Sequence, residues 1–329
     1  MKTSDDFFSG KHVLITGDIG FIGSALARRL VAMGAHVVLV DSLIPEYGGN
    51  LYNIRDIRDK LDINISDVRD PHSMRYLVRE ADLLFNLAGQ TSHLDSMQDP
   101  FTDLAINSSA QLYILEACRH YNPSIKIVFA STRQIYGRPT YLTVDEQHPL
   151  QPTDVNGINK LAGEQYHILY HRIYGIRSCA LRMTNTYGPG MRIKDARQTF
   201  VGIWIRCILE NEPFEVWGGD QLRDFNYVDD AVDAFMRADD DRADGRIFNL
   251  GGHEVVSLID LAGRLVQVAG RGKYRVREFP EKRQKIDIGD YYADFHSIRE
   301  KLGWTPRTGL TEGLSKTIAY FKEHLEHYT

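Results

Sequence analysis

Residues 12–41 read HVLITGDIGFIGSALARRLVAMGAHVVLVD. Two β-branched runs, His12–Thr16 and His36–Val40, flank an amphipathic segment of helical length, Phe21–Met33, and a glycine-rich turn joins the first run to that segment. Strand, turn, helix and strand in this order form the unit from which parallel sheets are wound. The pattern continues outward. Apolar runs at Ile63–Ile65, Asp82–Asn86, Ile125–Ala130 and Ile176–Arg182 alternate with helical stretches at Pro71–Arg79, Thr102–Tyr121 and Gly157–Tyr174. Most of these runs are nearly continuous Val, Ile and Leu, which suits strands covered on both faces. The expected fold class is α/β, a doubly wound parallel sheet.

Past Arg182 the rhythm changes. Asn185–Arg197 reads as a loop, a helix is expected from about Gln198 to Glu210, and short strands are expected at Phe214–Trp217 and Ile247–Leu250. Two amphipathic helices, Leu258–Val268 and Leu310–His327, close the chain. The sheet domain is therefore assigned to residues 1–182, together with about 226–252, and a smaller α/β lobe to 183–329.

Composition narrows the function classes. Lys plus Arg number 39 against 44 Asp plus Glu, so a basic nucleic-acid-binding face is not expected. Cys118, Cys179 and Cys207 are far apart and odd in number, and no Cys/His group has metal-ligand spacing, so no metal site is expected. The first residues, MKTSDDFFSG, lack the basic and apolar regions of a signal peptide, and no apolar run approaches the roughly 20 residues of a membrane span. A cytoplasmic protein with reduced thiols is the expectation.

The turn itself carries chemistry. Gly17, Gly20 and Gly23, with Phe21 and Ile22 between them, follow a strand and open a helix. The first glycine permits a tight turn, the second lets backbone approach a pyrophosphate, and the third allows close helix–sheet packing. The helix start offers free N–H groups and partial positive charge to a diphosphate. Asp41 ends the second strand, where a carboxylate accepts hydrogen bonds from both ribose hydroxyls and repels a 2′-phosphate. The expected cofactor is NAD, with Asp67 and Val68 placed to meet its adenine. Asp18, inside the turn, puts a carboxylate near a diphosphate without an evident reason.

Further strings occur in one order: NLAGQ (Asn86–Gln90), ASTRQIYG (Ala130–Gly137), LRMTNTYGP (Leu181–Pro189), RDFNYVDD (Arg223–Asp230) and KLGWTP (Lys301–Pro306). With the glycine turn, they make the chain resemble the extended short-chain dehydrogenase/reductase family of nucleotide-sugar epimerases, dehydratases and decarboxylases. The resemblance implies a Rossmann domain holding NAD, with Leu87, Ala88 and Gly89 against it, and a C-terminal lobe holding a nucleotide-diphosphate sugar. It also implies a homodimer through the helices Thr102–Tyr121 and Gly157–Tyr174. Thr132 matches the residue that bonds the reacting sugar oxygen, and Lys160 the one that holds the nicotinamide ribose. Asn185 and Arg223 match positions that contact the substrate's diphosphate region, Arg192 is a further substrate-binding candidate, and Arg283 or Lys285 in a charged loop could stand near the substrate phosphates. Trp217 and Tyr227 belong either to a base pocket or to the lobe core.

One departure stands out. The family's base is a tyrosine four residues before the lysine, and here that position is Asn156. None of the 17 tyrosines has a lysine four residues on. An amide can bond a hydroxyl but cannot take its proton near neutral pH. The substitute candidates are His93 or Asp95 in TSHLDS, or water relayed through Thr132 and Lys160. Arg133 and Gln134 stand where dehydratases carry an acidic pair and decarboxylases a glutamate, and neither can do that proton transfer. The expectation is transient oxidation of a sugar carbon, with epimerisation first and dehydrogenation, decarboxylation and dehydration after it. A protein that binds NAD and a nucleotide sugar without turnover is the alternative of another class.

Overall fold

The computed structural model describes residues 7–17, 19–47, 49–195, 197, 199–280 and 286–329. The first half runs β1 (His12–Thr16), α1 (Phe21–Ala32), β2 (His36–Asp41), β3 (Leu61–Ile65), α2 (Pro71–Leu77), β4 (Leu83–Asn86), α3 (His93–Gln98), α4 (Pro100–Leu104), α5 (Ala110–Tyr121), β5 (Lys126–Thr132), α6 (Val155–Tyr174) and β6 (Arg177–Met183). The second half runs β7 (Asn185–Tyr187), α7 (Phe200–Leu209), β8 (Phe214–Trp217), β9 (Leu222–Tyr227), α8 (Val228–Arg237), β10 (Ile247–Asn249), β11 (Val255–Ser257), α9 (Leu258–Ala269), β12 (Tyr274–Arg277), α10 (His296–Leu302) and α11 (Leu310–His324).

Among the described residues, seven strands form one sheet in the order β10-β6-β5-β4-β1-β2-β3, and every pairing is parallel. The doubly wound Rossmann sheet is thus present, and the chain returns to it from the lobe at β10. Its central strands are buried, Val13, Ile15, Leu83, Leu84, Phe85 and Ile127 among them, as continuous apolar runs require, while the edge strand β3 stays partly exposed.

The lobe carries a three-stranded sheet, β11-β9-β7, and the parallel pair β12-β8. The expected loop from Asn185 therefore begins as a strand, paired in parallel with β9 through Asn185 and Phe225. Its three residues, Asn-Thr-Tyr, have no apolar run to announce them; the neighbouring strand supplies the order. Likewise the expected single helix Thr102–Tyr121 is interrupted by a π turn over Ala105–Ser109. Such turns recur at functional sites because they re-aim side chains.

One hydrophobic core joins the two parts: Leu26 and Leu30 of α1 and Phe235 of α8 share it with Trp204 of α7 and Phe321 of α11. Each such buried large side chain contributes roughly 1.5–3 kcal/mol. Trp304 of the KLGWTP string is fully buried and donates its indole N–H to the Asp230 carbonyl at 2.8 Å.

Candidate functional site

A cleft of about 250 Å³ opens at the carboxyl ends of β1, β2, β4 and β5, the place where doubly wound sheets bind ligands. Its floor is the glycine turn. Gly17 has φ +68°, and a Cβ there would lie 2.7 Å from the Ala88 Cα, so only glycine fits. The Gly20 Cβ would meet the Gly17 carbonyl at 3.1 Å. Helix α1 starts at Gly20 with no side-chain cap, which leaves its first N–H groups for a ligand. Gly23, Phe21 and Ile22 line the same wall. Asp18 lies outside the described residues.

Asp41 and the pair Asp67–Val68 also face this end. Burial pushes the Asp41 carboxyl up, against the backbone N–H of Leu43, which donates to it at 2.8 Å. Asp67 is bound by Arg69, whose side chain donates at 2.6 Å and holds the carboxyl below its ordinary range. Leu87, Ala88 and Gly89 form the opposite rim. Thr16 bonds the Asn86 side chain at 2.9 Å and the Ala88 N–H at 3.2 Å, which fixes that loop. A Cβ at Gly89 would lie 2.9 Å from the Lys160 Nζ, so the glycine makes room for the lysine. This cradle of absent side chains, uncapped N–H groups and a ribose-height carboxylate fits a dinucleotide.

Lys160 comes from α6 and is buried, with Nζ donating to the Ala130 carbonyl at 3.1 Å. Burial lowers its pKa to about 8. One helical turn on, Glu164 holds Arg182 of β6 at 2.7 Å and accepts from Ser131 of β5 at 2.6 Å. That buried clamp seats α6 on the sheet, and Lys160 and Thr132 both line the cleft.

Asn156 lines the cleft as well, four residues before Lys160. Its amide N–H₂ donates to the Gln90 carbonyl at 2.7 Å and to Asp103 Oδ2 at 3.1 Å. Asp103 is fully buried and also accepts from Asn107 at 3.0 Å and Asn159 at 2.7 Å. The amide oxygen is therefore the atom that Asn156 has available for the cleft. The tyrosine's place is occupied by one member of a polar network, not by a bare substitution.

His93 opens α3 on the same cleft, and its Nδ1 lies 2.9 Å from Oδ2 of Asp154. Asp154 is the α6 cap, accepting from Gly157 N at 2.7 Å, and Gln134 donates to it at 2.8 Å. A buried carboxylate thus stands within ion-pair distance of an imidazole whose ring borders the cleft, although the Nδ1 makes no aligned hydrogen bond to it. Asp95 is turned away, ion-paired with Arg197 at 2.8 Å.

On the lobe side only some expected residues meet the cleft. Asn185 lines it and accepts from Arg133 Nη2 at 2.9 Å. Arg223 lies behind, buried, donating to the carbonyls of Gly289 and Leu222 and standing 3.4 Å from Asp287. Burial, then Arg133, lower its pKa to about 10. Of the two places open to Tyr227, a substrate contact in the base pocket or the lobe core, the structure favours the core: it is buried there with its ring 5.7 Å from that of Tyr187, because β9 turns it inward. Arg192 is turned onto Asp195 at 2.6 Å, outside the cleft lining. Trp217 stands at the end of β8 beside Phe279. Arg283 and Lys285 lie outside the described residues.

The sequence reading missed Asp154 and Asp103. An aspartate before a helix signals a cap, but nothing local says that residue 93 folds against it. Among the described residues no group of three His, Cys, Asp or Glu side chains is gathered as for a metal ion, and no helix is long and apolar enough to cross a membrane.

Comparison with known proteins places this geometry. Residues 13–251 match the NAD dependent epimerase/dehydratase family. The UDP-glucose 4-epimerase of Mycolicibacterium smegmatis is 30% identical over 94% of this chain and 98% of its own. The crystal structure of UDP-glucose 4-epimerase from Thermotoga maritima with UDP-glucose superposes with a TM-score of 0.88 at 28% identity, covering 95% of this chain and 99% of that one. The Thermus thermophilus UDP-glucose 4-epimerase complex with NAD gives 0.83 at 28% identity, covering 94% and 99%.

Proposed function

Since the chain belongs to the NAD-dependent epimerase/dehydratase family, we propose that it inverts a carbon of a nucleotide-diphosphate sugar, with His93 in the role of the missing tyrosine. When bound, oxidised nicotinamide supplies reversible hydride acceptance from the sugar carbon, so that a ketone forms and is reduced from the other face. The glycine turn holds the cofactor's diphosphate, Asp41 its adenosine ribose, Asp67 and Val68 its adenine, and Lys160 its nicotinamide ribose.

The remaining work belongs to the side chains around the sugar. Thr132 and the Asn156 amide oxygen orient the reacting hydroxyl. His93 takes its proton and later returns it, while Asp154 steadies the imidazolium as it forms. The Lys160 charge favours the alkoxide-like oxygen as the proton leaves. Asn185 lines the substrate side of the cleft, and Arg223 backs it from behind. The observation that carries this reading is that an imidazole 2.9 Å from a buried carboxylate borders the same cleft as Thr132 and Lys160.

The homodimer belongs to this reading. Ile158, Leu169 and Ile173 recur at helical spacing on α6 and are exposed, with Tyr113 and Tyr121 exposed on the adjacent α5. An apolar stripe shared by two neighbouring helices suits the same stripe of a second copy.

The test is to incubate the purified protein with NAD and paired nucleotide sugars differing at one carbon, and to follow both isomers by proton NMR. Approach to one equilibrium mixture from either side is expected. A sugar that binds but is returned unchanged would overturn the catalytic reading.

A further inference from the structure

Next to Thr132 the chain carries a cation that the reading above does not use. Arg133 lines the cleft and is half-buried. Its Nη2 donates to the Asn185 Oδ1 at 2.9 Å, but its Nη1 is sealed from solvent and has no hydrogen-bond partner among the described residues. No described carboxylate stands within ion-pair distance of it. The acids nearby are otherwise engaged. Asp224 accepts from Thr184 and from the N–H groups of Gly252 and Ala293, and Asp287 faces Arg223. On the guanidinium's other side lies the Tyr291 ring, whose centroid is 5.4 Å from the Arg133 Cζ. Burial lowers the Arg133 pKa, so the charged form is held there at a cost.

A desolvated guanidinium with an orphaned N–H is stable only when an anion completes it. The cofactor's diphosphate is accounted for at the glycine turn, at the far end of the cleft. Arg133 is one peptide unit from Thr132, about 3.8 Å between Cα atoms, and so belongs to the end where the sugar ring reacts.

We propose that Arg133 is a specificity residue for a carboxylate borne by the sugar itself, so that the preferred substrate is a nucleotide-linked uronic acid rather than a neutral hexose. This rests on the nucleotide-sugar reading above. Arg133 donates to the carboxylate while Asn185 holds the planar guanidinium in register, and a planar fork matched to a carboxylate is the geometry in which arginine is selective. A neutral CH₂OH in the same place can accept a hydrogen bond from the Nη1 but leaves the guanidinium's charge without a counter-ion, and a buried charge without a counter-ion disfavours that analogue.

The experiment compares UDP-glucuronate with UDP-glucose, and the dTDP pair likewise, by kcat/KM and by equilibrium binding in the presence of NAD. In the unaltered protein the acid is expected to be favoured by about 100-fold, and Arg133→Gln to bring that ratio down to near unity, the scale of a truncated buried charge pair. Arg133→Lys, which keeps charge without the fork, should retain part of the preference. A wild-type preference for the neutral sugar overturns the proposal. So does an Arg133→Gln variant that weakens both sugars equally, because the guanidinium then serves the diphosphate common to both. The binding ratio needs no turnover, so a failure of His93 catalysis and a failure of this proposal are read separately.

Discussion

The two ends of the cleft are built from different materials. At the cofactor end the decisive features are absences: no Cβ at Gly17, no cap on α1, no side chain at Gly89 to block Lys160. At the reacting end the decisive features are side chains drawn from distant segments. His93 meets Asp154 and Asn156 meets Gln90 and Asp103 across the interface between α6 and the loops after β4. A site made by backbone tolerates no substitution but can be read from a short string. A site made by side chains can be rebuilt member by member while the fold stays the same.

The largest expected effect tests the rebuilt end. His93→Ala should lower kcat by about 1,000-fold, within the range that a general base contributes, while NAD affinity changes little. Asp154→Asn should give a smaller loss of kcat, since the imidazole keeps a polar neighbour but loses the carboxylate 2.9 Å from its Nδ1. That substitution leaves an oxygen to cap Gly157, so melting temperature is the control that separates a lost cap from a lost charge. A His93→Ala variant with near-normal kcat would leave the proton to a water relay and break the contrast between the two ends.

Next comes the backbone end. Gly17→Val places a β-branched side chain at φ +68° with its Cβ 2.7 Å from the Ala88 Cα. Left-handed backbone and overpacking together cost about 3 kcal/mol. NAD affinity should therefore fall by more than 100-fold, measured by calorimetry, with a melting temperature several degrees lower. Retained affinity would mean that the diphosphate does not rest on this turn.

These two expectations also mark what the amino-acid order reveals. The parallel sheet and the glycine turn are local: alternating apolar runs and a spacing within seven residues carry them. The loss of the phenol was equally visible at Asn156. What replaced it was not, because the His93–Asp154 couple spans 61 positions and the Asn156–Asp103 bond 53. Tyr227 shows a choice the string could not make: of the base pocket and the lobe core, strand β9 directs it into the core beside Tyr187. The strand Asn185–Tyr187 was unreadable for a related reason, since its order comes from its partner β9 and not from its own apolar content.

A smaller effect sharpens the comparison at the point of departure itself. Asn156→Tyr restores the family's residue but not its setting. Asp103 loses one of three amide donors, and the buried phenol has to displace the bond to the Gln90 carbonyl. Breaking one neutral–charged hydrogen bond of this kind costs about 1.5–3 kcal/mol. The expected result is a kcat about tenfold below that of the unaltered protein, with a lower melting temperature. A faster enzyme would show that the surroundings still suit a phenol, and that the histidine is an addition, not a replacement.

The mildest expectation concerns the lysine that both ends share. Lys160 titrates near 8 because burial disfavours its charge. Below that pH it is charged, the form in which it is proposed to bond the nicotinamide ribose; as pH rises through about 8 the cation is lost and NAD affinity should fall, about tenfold at most for one such group. Stability moves the other way. The folded-state pKa lies below the unfolded value, so burying the charge costs most at low pH, and that cost is relieved as pH climbs from about 8 toward the ordinary lysine value. Lys160→Met, which keeps an unbranched stem but removes the Nζ that stands over the Phe129 ring, should flatten both curves. Opposite slopes of affinity and stability in one pH window are what a functional cation in an apolar seat produces. Parallel slopes, or a window that survives Lys160→Met, would assign the titration to another group and remove the lysine from the cofactor's side of the cleft.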